Sequence, residues 1–145
     1  MRRVIVDTGP LVALLDKADR RHAWARETVG GIRHPLYTCE AVITEASHIV
    51  RRVPGGRRAI MDLLAGGVVA LAFRMDAELR ELRSLVERYA TVPMSIADAC
   101  LVRMSELLPD ASVLTFDSDF RVYRRAGRHA IPVIMPGRRT SRGNA

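Results

Sequence analysis

Four acidic residues stand where a carboxylate could do chemistry. Asp7 ends a short apolar run, Val4-Ile5-Val6, and Asp117 follows a second one, Ser112 to Thr115. Asp98 comes just after Ser95 at a helix start, and Glu45 falls inside an apolar-periodic segment. Three of the four have a plain structural explanation when taken singly. An acid at a strand end commonly caps the next helix, which would account for Asp7. Ser95-Ile96-Ala97-Asp98 has the form of a capping box, in which the fourth residue bonds back to the first. In Thr115-Phe116-Asp117-Ser118-Asp119 either acid could cap the turn that follows; Asp117 is nearer the strand end and is the better site residue, with Asp119 in support. Glu45 is different. It lies beside the stripe of Val42, Ala46 and Ile49, where capping cannot explain it, and an acid near an apolar interior is costly unless it is paired. Its plain alternative is a salt bridge to one of the many arginines.

The combination carries more than any member. Two unit charges about 4 Å apart repel by about 4 kcal/mol at an effective dielectric of 20. Carboxylates converging on one place therefore call for a cation, and oxygen-only ligands suit a hard ion such as Mg2+ or Mn2+. Such an ion lowers the pKa of water and stabilises charge on a phosphoryl oxygen. Asp7, Asp98 and Asp117 are the expected metal ligands, with Glu45 completing the catalytic set. Spacing alone does not establish that the four converge.

The elements that would have to position these acids alternate strand with helix. Residues 3–7 read as a buried strand, followed by a helix from Gly9 to about Leu15 with Thr8 as its cap and Pro10 in its first turn. A second helix is predicted over 20–29, a strand over 36–39, and a helix over 40–52 with Val42, Ala46, Ile49, Val50 and Val53 as its buried stripe. Pro54-Gly55-Gly56 breaks it before a short helix over 57–64. The run 68–73 reads as a strand, and Asp76 is placed as the cap of a long helix to Tyr89 that buries Leu79, Leu82, Leu85 and Val86. Ser95 caps a helix over 96–107, 112–115 is a strand, 117–125 a short helical turn, and 131–135 the last strand. Alternation of this kind predicts a parallel sheet covered on both faces, with ligands outside the carboxyl ends of its strands, where Asp7 and Asp117 fall.

Bulk properties agree with one soluble domain over residues 1–135 and a polar, basic, disordered tail over 136–145. At 145 residues, 48% hydrophobic and 27% charged, the chain can bury a real core. No apolar run approaches the about 18 residues a membrane span needs, and no signal peptide is visible, so the expected location is cytoplasmic. The net charge is +7, with Lys17 the sole lysine. Guanidinium groups suit phosphate, which fits a nucleic-acid partner, although general arginine bias explains the charge equally well. Arg51, Arg52, Arg57 and Arg58 form the densest cluster, read as a solvated face or as a phosphate track toward the acids. Cys39 and Cys100 belong to no paired motif and read as small buried hydrophobes.

Four segments together resemble a known family. Val4 to Leu15, VIVDTGPLVALL, is similar to the opening of a PIN domain of the VapC-type toxin ribonucleases. TCEAVITEASHIV at 38–50, SIADACLV at 95–102 and LTFDSDF at 114–120 resemble that family's second, third and fourth motifs, in the same order. The resemblance implies a three-layer α/β/α fold around a parallel sheet and a Mg2+- or Mn2+-dependent endoribonuclease that leaves a 5′-phosphate. It carries the catalytic role onto Asp7, Glu45, Asp98 and Asp117, with Thr8 and Thr115 supporting the site through their hydroxyls. It further implies a homodimer and a small antitoxin that blocks the active site. A housekeeping RNA-processing nuclease, a DNA-directed nuclease and a catalytically silent nucleic-acid-binding module are the alternatives.

Other chemistries fit less well. Glu45 and His48 have the Glu-x-x-His spacing of di-iron bundles, but those need two such pairs; His48 reads instead as a partly buried histidine or a supporting contact. Asp117-x-Asp119 is similar to the haloacid-dehalogenase nucleophile motif, which should follow the first strand. A phospho-receiver needs a lysine across the pocket, and Lys17 sits in an early turn. Trp24 reads as core or dimer interface rather than as a base-stacking residue.

Overall fold

The computed structural model describes residues 2–137; the expected tail lies outside the described residues from 138 onward. Its centre is strand β1 (Val4–Val6), whose three side chains are all buried. β1 has a parallel neighbour on each side. Ile5 is in register with Tyr37 of β2 (Leu36–Thr38) and with Val113 of β4 (Ser112–Leu114). β3 (Val69–Leu71) extends the sheet beyond β2, and β7 (Val133–Ile134) extends it beyond β4, giving the order β3-β2-β1-β4-β7. Strands buried on both faces read as unbroken apolar runs, as β1 does; β4 is buried throughout with Ser112 as its one polar residue.

Helices fill the crossovers. α1 (Thr8–Leu15) and α2 (His22–Gly30) connect β1 to β2; α3 (Glu40–Ile49) and α4 (Gly56–Ala65) connect β2 to β3. α5 (Leu79–Arg88) and α6 (Ile96–Leu107) lead back to β4. The sheet is thus flanked by helices in the expected three-layer α/β/α arrangement. Its core runs through Ile5, Leu11, Leu36, Val42, Leu101, Leu114 and Phe120. Cys39 and Cys100 are buried in it at 2% and 1% exposure, as small hydrophobes should be. No helix among the described residues is long and apolar enough to cross a membrane.

The chain leaves β1 toward β2 and β3 on one side, then returns to place β4 on the other. The two crossovers diverge between β1 and β4, and the crevice this opens at the carboxyl ends of those strands is where open parallel sheets bind ligands. Arg3, at the start of β1, forms a two-pronged ion pair with Asp110 in the turn before β4, tying the opposite ends of the same strands together.

Several local expectations are corrected. Asp7, rather than Thr8, caps α1, its carboxylate accepting from the Thr8 N–H at 2.7 Å. The α3 stripe is narrower than expected: a 3-10 turn covers Val50–Arg52, Val42, Ala46 and Val50 are buried, and Ile49 is 48% exposed, where it lines an open cavity. Asp76 belongs to a separate 3-10 turn, Met75–Ala77, and pairs with Arg74; α5 starts later, at Leu79, which is exposed while Leu82 and Leu85 are buried. The helical turn after Asp117 covers only Ser118–Arg121. Beyond it an unexpected antiparallel hairpin forms, β5 (Arg124–Arg125) with β6 (His129–Ala130), turning through Ala126 and Gly127, both at positive φ.

Candidate metal centre

At the carboxyl ends of β1 and β4 a single hydroxyl organises the strand termini. Thr115 is fully buried directly after β4. Its Oγ1 donates to Asp7 Oδ2 at 2.7 Å and accepts from the Asp117 backbone N–H at 2.9 Å. Its one proton is committed to Asp7, so its lone pair must face Asp117. Asp7 Oδ1 is held by the Thr8 N–H. Asp117 turns back to accept from the Asp119 N–H at 2.9 Å. This is the local Asx turn that an Asp followed two residues later by a free N–H favours. Asp119 helps through its backbone; its carboxylate does not line the cavity.

Asp98 arrives from α6. Its N–H donates to Ser95 Oγ at 3.0 Å, so the cap predicted from sequence does form. The carboxylate remains available to the site, and its Oδ2 accepts from the Tyr123 hydroxyl at 2.8 Å. Tyr123 is fully buried, edge-on to Tyr89 and Phe120. Sequence reading missed it: the residue follows the fourth motif in a stretch read as a helical turn, and no periodicity marks it. Burial and the neighbouring Asp98 push its phenol well above the ordinary range, so it remains a donor.

Asp7, Asp98, Asp117 and Glu45 all line one cavity of about 510 Å3, together with Thr8. Glu45 reaches it from α3 as an exposed side chain, which corrects the inference that it borders the interior. None of the four is in an ion pair among the described residues, which removes the salt-bridge alternative for Glu45. They share the cavity without forming a finished cage: among the described residues no three His, Cys, Asp or Glu side chains have metal-holding geometry. His48, though close in sequence to Glu45, is exposed and does not line the cavity.

The electrostatics follow from this layout. Burial pushes the Asp7 carboxyl up to about 6, against the hydrogen bonds from Thr115 and Thr8, and the charges of Asp98 and Asp117 push it further the same way. Asp98 is likewise raised, by burial first and by Asp117 as a like charge, against the Tyr123 hydrogen bond. Carboxylates raised in this way by burial and by each other are complementary to a positive ion. The donors are hard oxygens, and Thr8 Oγ1 in the same wall is the one buried side-chain polar atom without a partner among the described residues. This set fits a divalent cation that prefers oxygen.

The arginines expected to serve this site are elsewhere. Arg51 and Arg52 lie in the 3-10 turn after Ile49, Arg57 and Arg58 in the first turn of α4, and all four are exposed away from the cavity lining. Arg20 and Arg21, at the corner between α1 and α2, line it instead, alongside Phe116. No motif marks them in the sequence.

A parallel α/β sheet covered by helices, with carboxylates gathered in the crevice at its switch point, defines the class: a three-layer α/β/α domain with an acidic cavity at the carboxyl ends of its strands. The profile of the PIN domain family matches residues 4–126, and the chain belongs to that family. It is similar to Ribonuclease VapC26 of Mycobacterium tuberculosis, 29% identical over 134 residues that span 90% of this chain and 99% of the relative. Its fold matches the crystal structure of M. tuberculosis VapC20, described as a sarcin-ricin loop cleaving toxin, with a TM-score of 0.71 at 22% identity, covering 82% of this chain and 93% of that one.

Proposed function

We propose that this chain is a metal-dependent endoribonuclease and the toxin of a type II toxin–antitoxin pair. The observation that carries the reading is the shared cavity: four carboxylates with no ion-pair partner among the described residues, at the switch point of a PIN fold. The similarity to Ribonuclease VapC26, along nearly the whole of both chains, supports RNA as the substrate.

Asp7, Asp98 and Asp117 are the residues that would hold Mg2+ or Mn2+. A bound ion of this kind supplies Lewis acidity toward a phosphodiester oxygen and toward water. Thr115 fixes the Asp7 carboxylate, Tyr123 fixes that of Asp98, and Thr8 offers a free hydroxyl to the same wall. Glu45, on the side of the cavity formed by α3, orients the attacking water and takes its proton. Water oxygen bonds to phosphorus as the bond to the 3′ oxygen breaks, and the departing 3′ oxygen takes up a proton from solvent, leaving a 5′-phosphate and a 3′-hydroxyl. Arg51, Arg52, Arg57 and Arg58 lie beyond the Ile49 rim and would meet the RNA backbone further along. A homodimer and a small antitoxin covering the cavity belong to the same reading, with the cytoplasm as the place of action; exposed Met61, Leu79, Ile96 and Val122 provide apolar surface for such partners.

A metal-titrated cleavage assay on RNA tests this. Cleavage with Mg2+ or Mn2+ that stops with chelator and in Asp7→Asn is expected. RNA binding without cleavage at any Mn2+ concentration would replace the enzyme with a silent binding module. Full activity of Asp7→Asn with Mn2+ would remove the mechanism.

A further inference from the structure

The acidic cavity has a second wall that hydrolysis does not use. Arg20 and Arg21 reach it from the α1–α2 corner, and neither is in an ion pair among the described residues. Asp19, the carboxylate next to them in the chain, spends its Oδ1 on the Arg21 backbone N–H at 2.8 Å. The Arg21 guanidinium carbon lies 4.7 Å from the centroid of the Phe116 ring.

Phe116 is itself well held. It sits between Thr115 and Asp117, the two residues that organise the acids, and its ring packs on Trp24 at 5.6 Å between centroids and 60° between planes. It also closes on the backbone at Gly9: a Cβ there would stand 2.9 Å from Phe116 Cδ2, so a side chain at this position would force the ring to shift. Glycine after Asp7-Thr8 thus has a packing reason, and the ring that supports Arg21 is fixed to the same strand ends as the carboxylates.

RNA presents one negative charge per nucleotide, and a wall of carboxylates repels it. A cation in the acid pocket offsets that repulsion at the scissile phosphate only; the neighbouring phosphate needs its own countercharge. A guanidinium offers a planar fork of N–H donors to phosphate oxygens, and its exposed face can take a stacked base. The cavity volume of about 510 Å3 lies within the range of small-ligand pockets, which suits a nucleotide splayed from a single strand or loop.

We infer that Arg21, seated on the Phe116–Trp24 pair, forms with Arg20 a nucleotide subsite that grips the RNA phosphate adjacent to the one being cut. This rests on the nuclease reading for its substrate. Arg21 is a positioning residue: it binds the strand and does not touch the reacting atoms.

The test is steady-state cleavage of a labelled single-stranded oligoribonucleotide with Mn2+, over a series of salt concentrations, paired with fluorescence anisotropy of the same oligonucleotide on an Asp7→Asn background. Arg21→Ala is expected to raise KM about tenfold with kcat within about threefold, and to flatten the salt dependence of binding by about 0.7 in log–log slope, the value for one contact to a single strand. Arg21→Lys should restore the slope but only part of the affinity, because it keeps the charge and loses the fork. Phe116→Leu should raise KM by a smaller factor at unchanged slope. Arg83→Ala, on the outer face of α5, removes the same charge and should change nothing. Unchanged KM and slope in Arg21→Ala while the wild type cleaves would overturn the subsite and leave the nuclease standing. Arg21→Ala that weakens only inhibition by an acidic protein partner would also overturn it, assigning the wall to that partner. Should the wild type cleave no RNA, the nuclease reading falls, and the anisotropy arm still decides whether Arg21 grips the strand: a tenfold loss upholds that contact, no loss removes it.

Discussion

Two cavities of similar volume open on this molecule, and they differ in how their charges are settled. One, of about 510 Å3 at the carboxyl ends of β1 and β4, holds Asp7, Asp98, Asp117 and Glu45, none of them in an ion pair among the described residues. The other, of about 580 Å3, is lined by Cys39, Cys100, Phe73 and Met75, with Glu40, Arg74 and Asp76 at its edge. There Arg74 and Asp76 satisfy each other at 3.0 Å. Glu40 stands in the first turn of α3, where a negative charge is favoured by the helix dipole. The Cys100 thiol is pushed above its usual range by its hydrogen bond with Cys39 and by burial, so it stays neutral. Size does not separate the two cavities; unsettled charge does. A carboxylate with a raised pKa and no countercharge is a place where binding of a cation releases free energy.

The largest expected break in this contrast is Asp7→Asn. It should lower metal-dependent RNA cleavage by at least about a hundredfold, a typical order for loss of one electrostatic group in a catalytic site, while circular dichroism shows an unchanged fold. Arg74→Ala and Asp76→Ala in the other cavity should alter neither cleavage nor melting temperature, because that pair is exposed at 80% and 70% and solvent screens it.

Next in size is a pH effect on stability. The folded Asp7 carboxyl, at about 6, lies above its ordinary value of 3.8. The folded state therefore holds the proton more tightly than the unfolded one, and the associated stability is fully present below pH 3.8 and lost as pH rises through 6. Two pK units correspond to about 3 kcal/mol as an order of magnitude. Metal-free protein should thus lose stability between pH 4 and pH 6 through this group. Asp7→Asn should flatten that segment of a denaturant titration and be the more stable protein at pH 7.5 without metal. Mn2+ should raise the melting temperature of the wild type more at pH 7.5 than at pH 5, and should do little for the variant.

Smaller effects sharpen the same picture. Thr115→Val removes the hydroxyl that faces both Asp7 and Asp117 at nearly constant volume; about 1–3 kcal/mol of stability should go with it, read by urea unfolding. Tyr123→Phe deletes the hydrogen bond to Asp98. It should raise the Mn2+ concentration for half-maximal cleavage severalfold with kcat at saturating metal nearly restored, as expected for loss of an outer partner to a metal ligand.

Much of the site was legible in the residues. Asp7 and Asp117 could be placed because a short apolar run followed by an acid is a local pattern, and parallel strands put such acids at one edge. The apolar stripe that marks Glu45 in the sequence does exist at Val42 and Ala46, but the acid itself is exposed and lines the cavity. Family resemblance marks Thr115 as a supporting residue, while its double duty between two strand ends is a matter of register. Tyr123, Arg20, Arg21 and Phe116 escaped because their importance is purely spatial. The cluster of Arg51, Arg52, Arg57 and Arg58 drew notice by density in sequence, a signal that does not report which side of a helix faces a cavity.

Local physics set the elements: where apolar runs become strands, where Gly and Pro stop helices, and that Ser95 would cap α6 whatever its surroundings. These depend on neighbours within a few residues, so the sequence alone determines them. Bringing Asp98 from α6 and Glu45 from α3 to the same crevice as Asp7, and seating Arg21 on Phe116, depends on the order in which the strands join the sheet. Only the tertiary structure decides that, because a crossover that places β4 beside β1 is stabilised by the burial of both strands in one core and not by anything either segment carries by itself.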